Sequence, residues 1–126
     1  MKESHLASYI SSHRKRAGLN QKELSNLLGY PDEGPVSRHE RLRSVPPLYI
    51  ALGYQAIFHV PVAELFPAAY ENIRESIEAR LQEMRRDLEQ SSVKGRQAAR
   101  IARKLMWMWE RENQEPDHRN YAEGAA

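Results

Sequence analysis

The chain contains no cysteine among its 126 residues. Disulfide frameworks, thiolate metal sites and thiol nucleophiles are therefore excluded. A chain without cysteine suits a reducing cytosol. The first five residues also lack the apolar run that a secretory signal needs, so we expect a cytoplasmic location.

Charged residues are missing from one long stretch, positions 45–63. Such a stretch superficially suggests a membrane span. Three prolines, Pro46, Pro47 and Pro61, interrupt it, and a spanning helix tolerates such breaks poorly. We therefore interpret it as a buried helix with a connecting loop, and we expect no contact with a membrane.

Signals of catalysis and of metal binding are lacking too. The sequence has no glycine-rich phosphate loop and no nucleophile elbow. Its five histidines are scattered, and none stands at a metal-ligand spacing from acidic residues. The sequence therefore predicts a protein that is not an enzyme and that holds no metal and no cofactor.

An excess of positive charge is absent overall but present locally. The formal net charge is only +2, so the whole molecule is not a polycation. Between positions 93 and 106, however, five basic residues occur without an acid: Lys94, Arg96, Arg100, Arg103 and Lys104. This pattern fits a solvated helix face, a phosphate-contacting helix or a site for an acidic partner.

Helical signals begin near the start of the chain. Apolar periodicity predicts a first helix over 5–17, closed by Gly18. Asn20 and Glu23 form a capping-box pattern. We therefore expect a second short helix that starts there and stops at Gly29.

Prolines mark the rest of the first half. Pro35 is tolerated only in the first turn of a helix, which places a third helix over about 34–42. A fourth and a fifth short helix follow, and no run alternates with the period of a strand. Six of the seven prolines lie between positions 31 and 67. We predict an all-α fold with a five-helix domain over 1–67.

The second half has a different pattern. Residues 68–112 predict two longer helices, and 113–126 predicts a flexible tail. Apolar residues at heptad-like spacing form a seam along the first of these helices, and the second helix ends in a strongly apolar segment. The seam fits either an intramolecular hairpin or a dimer interface, and both can hold together. The predicted interface residues are Tyr70, Ile73, Ile77, Leu81, Met84, Leu88, Leu105, Trp107, Met108 and Trp109.

Three segments carry the most informative motif: AGLNQKELSNLLG, VSRHE and HVPVAELF. In order and spacing they resemble the second helix, third helix and closing segment of the Xre/Cro-type helix-turn-helix family, over about residues 6–66. Physical reasoning from the residues agrees. Ser25 is small enough for a helix crossing and Gly29 suits the turn, while Leu24, Leu28 and Val36 would hold the two helices together.

The resemblance also implies which residues contact DNA. Bases would be read by Glu33, Gly34, Ser37 and Arg38. Arg38 is the main candidate, since a guanidinium fork matches the O6/N7 edge of guanine. Gly34 and Pro35 have no side-chain donor, so base reading is expected to be sparse or partly by DNA shape.

Phosphate contacts form a second implied set. Its members are Arg14, Gln21, Arg41, Arg43 and Ser44. The resemblance also pairs Arg14 with Glu40, and we predict an ion pair between them that acts as a structural clamp.

These observations predict a sequence-specific regulator of transcription that binds double-stranded DNA. We expect a repressor that acts as a homodimer on an inverted repeat, with the C-terminal helices joining the two copies. Two alternatives remain. The chain could be an antitoxin, or a protein-interaction adaptor, that uses its C-terminal helices to bind a partner protein.

Overall fold

The computed structural model describes residues 8–114, and this part of the chain contains seven helices and no strand. The predicted all-α class is confirmed. The helices are α1 (Ile10–Arg16), α2 (Gln21–Leu28), α3 (Gly34–Glu40), α4 (Leu48–Phe58), α5 (Val62–Leu65), α6 (Pro67–Glu89) and α7 (Arg96–Glu112). None of the described helices is both long and apolar enough to span a bilayer.

The chain divides into two compact units after Glu71, slightly beyond the predicted boundary at position 67. The first unit holds α1 to α5 and the start of α6, and the second holds the rest of α6 and α7. The predicted beginning of the first helix, positions 5–7, lies outside the described residues. So does the predicted tail, except for its first two residues.

Helix α2 begins and ends where local chemistry requires. The Asn20 side chain accepts a hydrogen bond from the Glu23 backbone N–H at 2.7 Å, and the Glu23 carboxylate accepts one from the Asn20 N–H at 2.9 Å. These two bonds form a capping box, which satisfies N–H groups that no helical carbonyl can reach. Gly29 ends the helix at φ +90°, a conformation that favours glycine.

Prolines and one histidine set the bounds of α3 and α4. Pro35 lies in the first turn of α3, where its missing N–H costs nothing. Helix α4 begins after Pro47 and ends at His59, which is left-handed at φ +57°. Histidine is one of the few side chains that adopt this conformation with little strain.

The core of the first unit collects side chains from every helix in it. Helix α2 packs against α3 and α4, α1 packs against α3, and α4 packs against α5. The buried cluster consists of Ile10, Leu24, Val36, Tyr54, Leu65 and Phe66. Ser25 is also fully buried, which suits close approach of α2 to its neighbours. Among residues 8–114 its hydroxyl has no hydrogen-bond partner.

A buried polar pair lies inside this core. His39 is 3% exposed, and its Nδ1 lies 2.8 Å from the Tyr54 hydroxyl. The two rings meet edge to face with centroids 5.8 Å apart. Burial, with the nearby Arg38 charge, lowers the pKa of His39 below its ordinary value of 6.5. Burial likewise raises the pKa of Tyr54, which therefore keeps its proton.

Within the described part of the second unit, α6 and α7 meet through one buried side chain, several half-buried ones and two ion pairs. Met108 of α7 is 2% exposed. Arg111 Nη2 lies 2.8 Å from Glu78 Oε1, and Arg85 pairs with Glu112. Since Glu78 and Arg85 lie in the middle of α6, the last turn of α7 packs beside that part of the helix.

The predicted seam along α6 is split by this packing. Leu81 and Leu88 are half-buried, as a hairpin requires. Ile73, Ile77 and Met84 instead remain 53%, 40% and 48% exposed. Glu78 and Arg85 lie on the side of α6 that faces α7 and form ion pairs with it. Leu81 and Leu88 lie beside them, because residues spaced by three and four share one face. Half of the seam is therefore left open as a separate apolar stripe.

The buried His39 predicts an acid-sensitive first unit. We expect the free energy of unfolding to fall as the pH drops below about 6.5, because the unfolded histidine gains a proton that the folded one resists. The stabilisation linked to His39 is present at pH values above the ordinary histidine pKa of 6.5. It is lost as the pH falls toward the lower pKa that His39 has in the folded state. Urea unfolding at about pH 7.5 and pH 5.5 measures it.

His39→Gln provides the control, because its amide keeps a hydrogen-bonding group beside Tyr54 but does not titrate. The parent chain should lose more stability on acidification than this variant. An equal loss in both proteins would show that His39 does not couple folding to pH.

Candidate nucleic-acid interface

The carboxylate of Glu40 is the centre of a buried polar network. Its side chain is 7% exposed. Arg14 Nε donates to Oε2 at 2.6 Å, and Gln21 Nε2 donates to Oε1 at 3.0 Å. The expected ion pair between Arg14 and Glu40 is therefore present. The network joins α1, the start of α2 and the end of α3.

The geometry of Arg14 bears on both of its predicted roles, as a clamp and as a phosphate contact. Its side chain is only 11% exposed. Besides the bonds to Glu40, its Nη1 donates to the Leu19 carbonyl at 3.0 Å. Because most of its donors point inward, the geometry favours a clamp over a direct phosphate contact. Gln21 also directs its amide N–H toward Glu40, but its backbone N–H lies in the first turn of α2, where no helical carbonyl can accept it.

A cleft opens beside this network. It has a volume of about 520 Å³ and is lined by Arg14, Asn20, Gln21, Lys22 and Glu33. The cleft brings the start of α2 next to the residue that precedes α3. Lys22 is exposed here and was missed by the sequence analysis. The signal available for it was its place directly after Gln21, in the first turn of α2.

Helix α3 has an inner and an outer face. Val36, His39 and Glu40 are buried and fix the helix to the rest of the unit. Arg38 is exposed and Ser37 is half-buried. The two predicted base-reading residues that carry side-chain donors therefore lie on the accessible side of a firmly packed helix.

The guanidinium of Arg38 occupies space that a larger residue at position 34 would fill. A Cβ at Gly34 would lie 3.2 Å from Arg38 Nη1 and 2.9 Å from Asp32 Oδ1. That Asp32 oxygen accepts the Gly34 N–H at 2.8 Å. Gly34 is thus not merely a residue without a donor, because its missing side chain leaves room for the arginine one helical turn later.

The loop after α3 carries the last three predicted phosphate contacts. Arg41 and Arg43 are exposed and Ser44 is half-buried. The Arg43 N–H donates to the Arg38 carbonyl at 2.9 Å, and Leu42, which lies between Arg41 and Arg43, is left-handed at φ +51°. This turn fixes the backbone of Arg41 and Arg43 close to the end of α3.

Together these residues give the first unit an outer surface rich in cations. Lys22, Arg38, Arg41 and Arg43 are all exposed, and Glu33 is the one predicted reader that carries negative charge. Such a surface attracts anions, while the exposed acids Glu23, Asp32 and Glu33, near the starts of α2 and α3, oppose that attraction locally. Over residues 8–114, no group of histidines and acidic residues could hold a metal ion.

The predicted interface residues of α7 do not lie on one surface. Met108 is buried within the chain and is not available to a partner, and Leu105 is half-buried. Trp107 and Trp109 are 51% and 60% exposed, but two residues apart on a helix they point about 160° apart. The sequence suggests one interface for these residues because they are close together in a strongly apolar segment, but helical geometry separates them.

The Glu40 network predicts a strong effect of removing its charge. Glu40→Gln leaves Arg14 buried without its counter-ion, and we expect a loss of about 3 kcal/mol in the free energy of unfolding. Urea denaturation measures this loss.

A double-mutant cycle tests the pair itself. Arg14→Met combined with Glu40→Met should cost less than the sum of Arg14→Met alone and Glu40→Met alone, because the double variant leaves neither charge unpaired. Additive losses would contradict a clamp.

No family model, curated protein or solved structure matches this chain. A functional assignment therefore depends on the residues and geometry described above.

Proposed function

We propose that this protein is a sequence-specific regulator of transcription that binds double-stranded DNA through α2 and α3, in the manner of the Xre/Cro-type helix-turn-helix family. One observation carries the proposal. Helix α3 is fixed by three buried side chains on one face and presents Arg38 on the other. A rigid helix with an exposed arginine is what reading of base edges in the major groove requires.

Base reading would depend mainly on Arg38. Its guanidinium fork would donate two hydrogen bonds to the O6 and N7 atoms of a guanine. Ser37, beside it, would contact a base edge or a phosphate, and Glu33 would accept from a cytosine amino group. Gly34 and Pro35 add no side-chain donor, so DNA shape would contribute to specificity.

Phosphate contacts would hold α3 in register. The backbone N–H of Gln21 and the exposed Lys22 lie at the start of α2, where an anion is favoured. Arg41, Arg43 and Ser44 follow the end of α3. Contacts of this kind supply affinity without sequence information.

The second unit would join two copies. Its apolar stripe of Ile73, Ile77 and Met84 is exposed in a single chain, as is common for surfaces that associate. A twofold dimer would place two copies of α3 in successive major grooves of an inverted repeat. Occupation of such a site in the cytoplasm would block transcription, so we propose a repressor.

A second candidate function is favoured by a different observation. Met106 and Trp109 of α7 are 57% and 60% exposed, and such side chains are enriched in protein interfaces. An antitoxin or an adaptor would use this surface to bind another protein. Co-purification of a stoichiometric partner from the native cell would favour this function over self-association.

The DNA-binding proposal predicts a specific defect for Arg38→Ala. We expect a loss of about 1–3 kcal/mol at one base pair and a relaxed preference there, because the bidentate contact is removed. Selection from a random duplex library, followed by titration of the enriched site, measures both effects. Arg86→Ala, an exposed arginine of the second unit, is the control and should leave the preference unchanged.

Two results would count against the proposal. Enrichment of no motif by the parent chain would contradict sequence-specific binding. Equal weakening of Arg38→Ala on all sequences would make Arg38 a phosphate contact instead.

The dimer proposal predicts that Ile73→Asp combined with Ile77→Asp yields monomers. Buried carboxylates without partners would oppose association, while both positions are exposed in a single chain, so the fold should persist. Light scattering at micromolar concentration measures the mass. Asn72→Asp with Gln82→Asp adds the same charge at exposed polar positions and should leave the dimer intact. A monomeric parent chain would refute the dimer.

A further inference from the structure

One face of α7 carries a concentrated positive charge. Arg96, Arg100, Arg103 and Lys104 are all exposed. Their spacing places them on one side of the helix over about 12 Å. No acidic residue occurs between positions 93 and 106 to offset them.

These four cations differ from the two arginines that pack between α6 and α7. Arg111 and Arg85 are held by Glu78 and Glu112 in ion pairs between α6 and α7. Across residues 8–114, by contrast, none of the four forms an ion pair. Glu78 and Glu112 thus pair with the arginines between the helices, and the four outward cations remain available to a ligand.

An aromatic side chain lies within the same face. Arg100, Arg103, Lys104 and Trp107 line a shallow groove of about 420 Å³. Trp107 is half exposed, with the Arg111 guanidinium 5.9 Å from its ring centroid. We call this set, with Arg96, the basic face of α7. It is distinct from the side that carries Met106 and Trp109, so a contact at one face leaves the other open.

We propose that the basic face of α7 is a second nucleic-acid contact, which binds the phosphodiester backbone of duplex DNA without sequence preference. Guanidinium groups bind phosphates through two hydrogen bonds, and an array of cations gains further by releasing counter-ions from the duplex. The half-exposed indole of Trp107 supplies an apolar surface for the sugars between phosphates.

Duplex DNA fits this face better than an acidic protein does, provided that the first unit binds DNA. The proposal therefore rests on the DNA binding proposed above for α3. Once the first unit holds a duplex, a second contact to the same molecule is intramolecular and benefits from a high effective concentration. An acidic protein would have to be captured from solution without that advantage.

The test compares two charge-matched variants of the full chain. Arg100→Ser with Arg103→Ser removes two cations from the basic face, and Arg80→Ser with Arg86→Ser removes two exposed cations from α6. Affinity for a random-sequence duplex is measured between about 50 and 200 mM salt. The first variant should lower the slope of log K against log salt by about two, since each lost phosphate contact removes about 0.9. The second should leave the slope at the value of the parent chain.

Two other results would contradict the proposal. An unchanged slope in the first variant, or an equal drop in both, would show that the basic face makes no dedicated contact. Unchanged DNA binding combined with lost binding to poly-glutamate would assign the face to an acidic protein. Arg96→Ser with Lys104→Ser repeats the test if the first variant fails to fold, which its urea unfolding curve reveals.

The measurement is independent of base reading. If the parent chain enriches no motif but the slope falls as expected, base reading by α3 fails, while the non-specific DNA binding to which the basic face contributes is supported. If Arg38→Ala relaxes the preference but the slope is unchanged, the reverse holds.

Discussion

The buried carboxylate of Glu40 is the interaction on which the first unit depends. A charge with 7% of its side chain exposed is tolerable only when donors surround it, and Arg14 and Gln21 provide them from two other helices. The Glu40 backbone carbonyl also accepts the Ser8 hydroxyl at 3.3 Å. Helix α3 therefore cannot rotate to hide Arg38 without breaking several hydrogen bonds at once.

Much of the first unit could be predicted because its signals are local. The capping box of Asn20 and Glu23, the left-handed Gly29 and Pro35 in a first turn each restrict the backbone within a few residues, so the helix bounds follow from short stretches of sequence. The pair of Arg14 and Glu40 was predictable only through the resemblance, since nothing local joins residues so far apart in the chain.

The second unit was harder to predict, for a physical reason. Apolar periodicity shows that α6 has a hydrophobic stripe, but not which neighbour covers it. Part of that stripe faces solvent, while Glu78 and Arg85 face α7 and form ion pairs with it. Lys22 was missed because its candidate role depends on the cleft it lines, which forms only when the start of α2 meets the residue before α3. The near-complete burial of His39 could not be read from the sequence, because it depends on the hydrogen bond to the distant Tyr54 hydroxyl.

The close approach of Arg38 to Gly34 has a consequence for redesign and for evolutionary change. A side chain at position 34 would press on the guanidinium of Arg38 and on the carboxylate of Asp32. Under the proposed function, the two positions are therefore not independent letters of a recognition code. A library that varies position 38 alone explores only the preferences compatible with a glycine one turn earlier. Under the proposed function, paired substitutions, in which a bulkier residue at 34 accompanies a shorter one at 38, would reach specificities that a change at 38 alone does not sample.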